Sequence, residues 1–253
     1  MLEGHCLPGK GSRVFGGHVG AHCVLAAARV AATGRMPRTL HLHFLRAGLS
    51  GEPVRYAVTP LRRGRTLEHW RVDVSQDDGM IASAVVVLDE AEPGEGHAVH
   101  AGPAPAPDHC RDVTAEARYG TEPALREGLE MREGAVVAGG GAVPPRRAVW
   151  LRCVESLPQD ATLAAAVFVW CSDLELTWTA DLPYRAAMAS RQAASMDHVV
   201  HLHTQLAVGD WWLYRLVSPI YREGRALVTG QLFPAGDLLA ATVHQQVLLR
   251  MTY

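Results

Sequence analysis

The chain has 253 residues, and its 24 Lys and Arg stand against 26 Asp and Glu, a near balance that excludes a broad cationic face for nucleic acid. With 48% hydrophobic residues it can build a substantial core, yet no run approaches the roughly 18 consecutive apolar residues of a membrane span. The start Met1-Leu2-Glu3-Gly4-His5 has an acid and no apolar leader, and the five cysteines are scattered without a C-x-x-C pair, which speaks against a disulfide framework or zinc ribbon and leads to the expectation of a soluble cytoplasmic protein.

The first strong element is the Ala-rich run His18 to Ala32, closed by Gly34. It carries almost no charge before Arg29, so it reads as a helix buried on most sides. Strands follow: Thr39–Leu45, Val54–Val58, Leu67–Val74 and Met80–Leu88, joined by turns at Gly64 and at Asp77-Asp78-Gly79. The expected outcome is one helix wrapped by an antiparallel meander over residues 1–90. Residues 91–116 turn to Glu, Gly, Ala and Pro, and the alternate prolines of Gly102-Pro103-Ala104-Pro105-Ala106-Pro107 predict an extended linker.

Residues 117–253 echo the first half. Shifted by about 158 residues, Phe44 meets Leu202, Tyr56 meets Tyr214 and Val58 meets Leu216, while the turn Gly64-Arg65 meets Gly224-Arg225. The order of the matches implies an internal duplication and an α+β fold of two tandem repeats, each a helix packed into an antiparallel sheet. In this half Arg147–Val154 and Leu163–Trp170 read as strands, and Asp173 to about Ala180 as the central helix, ended by Pro183. From spacing alone Asp173 is an N-cap for that helix. A carboxylate next to the apolar run Val167-Phe168-Val169-Trp170-Cys171 also needs a partner or a use.

Arg13-Val14-Phe15-Gly16-Gly17, Phe44-Leu45-Arg46, Val149-Trp150-Leu151-Arg152, Cys171-Ser172-Asp173-Leu174, Ala194-Ser195-Met196-Asp197-His198 and the strand closing at Arg250 together resemble the acyl-CoA thioesterase II family, the double-hotdog thioesterases. The resemblance implies a cofactor-free hydrolase of acyl-CoA or carrier-bound acyl thioesters. In it Asp173, Ser195 and Gln245 hold a water against the thioester carbonyl. Gly16, Gly17, His18, Leu174, Asp197 and His198 border the substrate, and copies associate as a homo-oligomer. The oxyanion donors fall either at Asp173 and Leu174 or at Gly16 and Gly17. The first half carries Val87 where the second carries Gln245. The chain departs from the family at His18, where Gln is common, at His203-Thr204-Gln205-Leu206, where His-Arg-Pro-Phe is common, and at Gln246-Val247 after Gln245. Those departures keep an alternative open: a hotdog repurposed as a dehydratase, isomerase or cyclase, or as a non-catalytic acyl binder.

Other features point to less. The pairs His41/His43 and His201/His203 share strand faces, but no third ligand is indicated and no metal is expected. His18 and His198 are the better candidates for a base, with a structural role the simpler reading. Gly139-Gly140-Gly141 lacks the Lys of a phosphate loop, no G-x-S-x-G elbow is present, and Cys171 reads as a packed small residue. The basic clusters Arg62-Arg63-Gly64-Arg65 and Arg146-Arg147 read as solvated loop charge.

Overall fold

The computed structural model describes residues 1–7, 11–116, 127–134, 143–184 and 191–251. The triple glycine at 139–141 lies outside them. The thirteen strands of the described residues form one continuous antiparallel sheet. In the first half these are β1 (Leu2–Gly4), β2 (Met36–Phe44), β3 (Val54–Arg63), β4 (Leu67–Gln76) and β5 (Gly79–Asp89). The linker ends in β6 (Arg111–Asp112). The second half adds β7 (Leu129–Glu133), β8 (Arg146–Cys153), β9 (Arg191–Ser195), β10 (Asp197–Leu202), β11 (Trp212–Arg222), β12 (Arg225–Pro234) and β13 (Ala241–Met251). The order across the sheet is β1-β3-β4-β5-β2-β10-β13-β12-β11-β8-β7-β6, with β9 paired to β13.

The duplication sets this order. β3 begins at Val54 and β11 at Trp212, and β4 at Leu67 and β12 at Arg225, in each case 158 residues later. The two halves join where β2 meets β10, and there His41 faces Val199, again 158 apart, so the seam lies on a pseudo-twofold axis. The first four expected strands all form, and β4 shows why: Glu68, Trp70, Val72, Val74 and Gln76 are buried while the intervening side chains are not.

Each half supplies one central helix. The helix α1 (Gly16–Val30) buries Val19, Ala21, Cys23, Val24, Ala26 and Ala27. The second helix departs from the sequence reading: Leu163–Trp170 is not a strand but the body of α2 (Ala161–Ser172). Asp160 caps it, its side chain accepting the Leu163 N–H at 2.7 Å. Asp173 therefore does not start the central helix but lies at its C-terminal end, followed by the short α3 (Leu176–Asp181). Phe168 anchors α2 on the sheet, edge to face with Trp212 and Tyr214 at 6.0 Å each.

α1 and α2 touch through glycines. A methyl group on Gly17 would lie 2.3 Å from the Trp170 carbonyl oxygen, and one on Gly20 would lie 2.9 Å from Val169 Cγ1. The linker is not free-standing: Ala101 and Cys110 join Trp150, Leu213 and Phe233 in a small core on the outer face of the sheet, and Trp150 Nε1–H donates to the Pro105 carbonyl at 3.0 Å. Arg147 is not solvated either. Its buried guanidinium pairs with Glu133 at 2.6 Å and with Glu175.

Candidate active site

A cavity of about 550 Å³ opens between the halves, bounded by the N-terminus of α1, the end of β2, the turn after α2, and β9. Phe15, Gly16, Phe44, Ile81, Leu174, Met196 and Leu248 give it an apolar wall; Asp173, Thr177 and Ser195 are its polar groups; Arg13 and Arg46 line it where it is exposed. Asp173 and Ser195, far apart in sequence, thus share one cavity.

Asp173 is 8% exposed, and its Oδ2 lies so close to Gly16 that a Cβ there would be 2.9 Å away; the same Cβ would meet the Phe44 ring at 2.7 Å. Gly16 is required for this approach rather than for backbone freedom. The carboxylate faces the first turn of α1, whose N–H groups have no intrahelical acceptor and whose N-cap, Phe15, offers no side-chain oxygen. The N–H groups of Asp173 and Leu174 are by contrast both directed at the Cys171 carbonyl, Leu174 at 3.2 Å. Of the two sets of N–H groups, the one at the α1 terminus is the set without an intrahelical acceptor.

Ser195 is aimed by a β-bulge. Ser195 faces Val247 and Val199 faces His244, four residues against three, so one extra residue is inserted at the junction of β9 and β10. Asp197 supports the bulge by accepting the Gln246 N–H at 2.7 Å, while Met196 N–H donates to the Gln246 carbonyl at 2.9 Å. The bulge lets Ser195 and His198, three apart and otherwise on opposite faces, both reach Gln245. Gln245 Nε2–H donates to Ser195 Oγ at 2.8 Å, and Gln245 Oε1 lies 2.6 Å from His198 Nδ1.

The structure thus brings Asp173, Ser195, Gly16 and Leu174 to the cavity wall, with Gln245 behind Ser195. Gly17, His18, Asp197 and His198 lie off that wall. Gly17 packs on Trp170; His18 accepts the Leu7 N–H at Nδ1, 2.9 Å, and stacks on His22 and Trp170. Thr177, four residues after Asp173, is a lining residue that the sequence reading missed; the i, i+4 spacing was its only signal. The counterpart of Gln245 is Val86, not Val87. Val86 faces Trp70 as Gln245 faces Val228, and 70 and 228 are equivalent positions. Among the described residues no three His, Cys, Asp or Glu side chains are placed to hold a metal ion; His41, His201 and His244 meet ring to ring on the outer face instead.

Fold and site together define a double-hotdog protein with a buried acid at the head of an apolar cavity. A family model described as the acyl-CoA thioesterase N-terminal domain matches residues 7–88, and one described as acyl-CoA thioesterase matches residues 126–247. Acyl-CoA thioesterase 2 of Haemophilus influenzae is 26% identical over 253 residues, covering 95% of this chain and 88% of that protein. Mouse acyl-coenzyme A thioesterase 8 is 25% identical, covering 94% and 81%. The crystal structure of an acyl-CoA thioesterase II from Mycobacterium marinum is similar with a TM-score of 0.85 at 28% identity, covering 98% of this chain and 92% of that one. The chain belongs to the acyl-CoA thioesterase II family.

Proposed function

We propose that this protein hydrolyses acyl-CoA thioesters to the free acid and the thiol, with Asp173 as general base. One observation carries the assignment of roles: Asp173, Ser195 and the open N-terminus of α1 border a single cavity in a chain whose relatives are acyl-CoA thioesterases. The same relatives favour hydrolysis over a repurposed dehydratase, isomerase or cyclase and over a non-catalytic acyl binder.

The chemistry follows from the residue types. Ser195 Oγ receives a hydrogen bond from Gln245, which leaves its own proton free to fix a water through one lone pair. Asp173 takes a proton from that water as the oxygen attacks the thioester carbonyl carbon. The resulting oxyanion is received at the open N-terminus of α1, where Gly16 lines the cavity. Collapse breaks the C–S bond, the carbonyl re-forms as a carboxylic acid, and the departing thiolate takes the proton from Asp173. No covalent acyl-enzyme is needed.

The carrier is proposed to be CoA rather than a carrier protein, because Arg13 and Arg46 line the cavity and neither has an ion pair among the described residues. Association of copies in the cytoplasm as a homo-oligomer belongs to the same proposal. It is supported by the sheet edges that β1 and β6 form among the described residues and by exposed Val217 and Ile220 on β11. No described helix is long and apolar enough to cross a membrane.

The test is release of free thiol from a panel of acyl-CoAs. Asp173→Asn is expected to lower kcat about 10²- to 10⁴-fold, the usual contribution of a general base, at an unchanged melting temperature. Turnover equal to that of the unaltered protein overturns the role of Asp173.

A further inference from the structure

Gln245 can help Ser195 only in one of its two amide orientations, because its nitrogen and not its oxygen must face the serine. Its environment selects that orientation. Gln245 is fully buried, and its Oε1 meets Nδ1 of the equally buried His198 at 2.6 Å. A carbonyl oxygen only accepts, so Nδ1 carries the hydrogen, and Nε2 lies 2.9 Å from the Ser172 hydroxyl oxygen. The same hydroxyl donates to the Val169 carbonyl at 2.9 Å, and Tyr214 donates to the Ser172 carbonyl at 3.2 Å. A chain of hydrogen bonds therefore runs from Ser195 through Gln245 and His198 to the end of α2, one residue before Asp173.

The fold does not need this chain. The pseudo-twofold places Leu40 where the second half has His198, and Val86 where it has Gln245. Leu40 and Val86 face each other across β2 and β5 and are buried. The first half fills with two aliphatic side chains the position where the second half maintains a buried imidazole–amide pair, a costly substitution unless every partner is met.

We infer that His198 is a positioning residue for the hydrolysis. Its Nδ1–H fixes the Gln245 amide so that Nε2 is presented to Ser195, and its bond to Ser172 ties that arrangement to the helix end bearing Asp173. It lies off the cavity wall and touches no substrate. This inference rests on the hydrolytic reading above.

The experiment is kcat and KM for one acyl-CoA with His198→Asn and His198→Leu, the second made in both the native and the Gln245→Ala background. Asn retains an N–H donor near the place of Nδ1–H, so His198→Asn is expected to keep kcat within about threefold. His198→Leu frees the amide to turn and is expected to cost about 10- to 100-fold in kcat at an unchanged KM, the scale of a small misplacement of reacting groups. In the Gln245→Ala background the same substitution should cost less than about twofold. Equal losses in both backgrounds would show a merely structural histidine and overturn the inference, as would full activity of His198→Leu. Should His198→Leu fail to fold, two arms decide. The ¹⁵N shifts of the His198 ring in the unaltered protein must report a hydrogen on Nδ1, a ring protonated at Nε2 alone being the overturning result. Conversion to the first-half pair by His198→Leu with Gln245→Val must give a folded, nearly inactive protein. Failure of the hydrolytic reading is separable: it is seen when Asp173→Asn retains turnover, whatever His198 variants do.

Discussion

Arg13 and Arg46 show how little of a side chain's meaning lies in its type. Arg147 is buried and consumed by Glu133 and Glu175, whereas Arg13 and Arg46 are exposed, line the cavity, and have no ion pair among the described residues. A guanidinium at such a place suits a phosphate, which it meets in a bidentate way. An exposed pairing is worth up to about 1 kcal/mol, or about fivefold in an equilibrium constant. Arg13→Ala and Arg46→Ala are each expected to raise KM for an acyl-CoA by about that factor, with kcat nearly unchanged, and to leave KM for the corresponding acyl-pantetheine, which lacks the phosphates, where it was. An equal rise for both substrates would place the arginines in acyl-side packing instead.

At the scale of elements, the site depends on two helices being able to touch. Gly17 sits against the Trp170 carbonyl, and its place cannot be filled without moving backbone. Gly17→Ala is expected to cost about 1–3 kcal/mol, the usual range for overpacking, and to lower kcat because it moves Gly16 away from Asp173. Urea denaturation and steady-state kinetics on the same sample check both, and a variant as stable and as active as the parent contradicts the packing argument. The same pair of helices marks the limit of what the sequence discloses. α1 is legible because its Ala content and lack of charge leave few alternatives. α2 is not: Ala164 to Val169 are all buried, so no polar face breaks the run into a period of 3.6, and Val167, Phe168, Val169 and Trp170 imitate a strand. The available signal was Asp160 three residues before Leu163, a cap ahead of an apolar run. The motifs pointed to Gly16, Asp173, Leu174 and Ser195, which share the cavity, but neither Thr177 nor the reason for Ser195-Met196-Asp197-His198 was legible. A bulge is a property of the paired strand, and it needed the register against β13 to be seen.

Across the whole molecule, duplication has produced a symmetric sheet with an asymmetric interior, and the polar groups placed inside it set how the protein responds to acid. His18, in the first turn of α1 against Leu7 and Trp170, has its pKa lowered to about 4, chiefly because burial disfavours the charged ring and secondarily because His22 lies beside it. Burial also lowers His22, and it leads the causes that lower His201 and His203 on the outer face of the sheet. A histidine depressed in the folded state binds its proton more readily in the unfolded chain. Between its ordinary value near 6.5 and its folded value, acidification therefore favours unfolding, so stability is present above about pH 6.5 and is lost as pH falls toward 4. All four shifts have the same sign, so they add. The melting temperature is expected to fall steadily from pH 7 to pH 4. His18→Gln, whose side-chain oxygen can still accept the Leu7 N–H but which cannot be protonated, should show a shallower fall over that window. A profile that is flat or rises on acidification, or a His18→Gln slope equal to the parent's, would mean that the buried rings around α1 do not couple folding to pH.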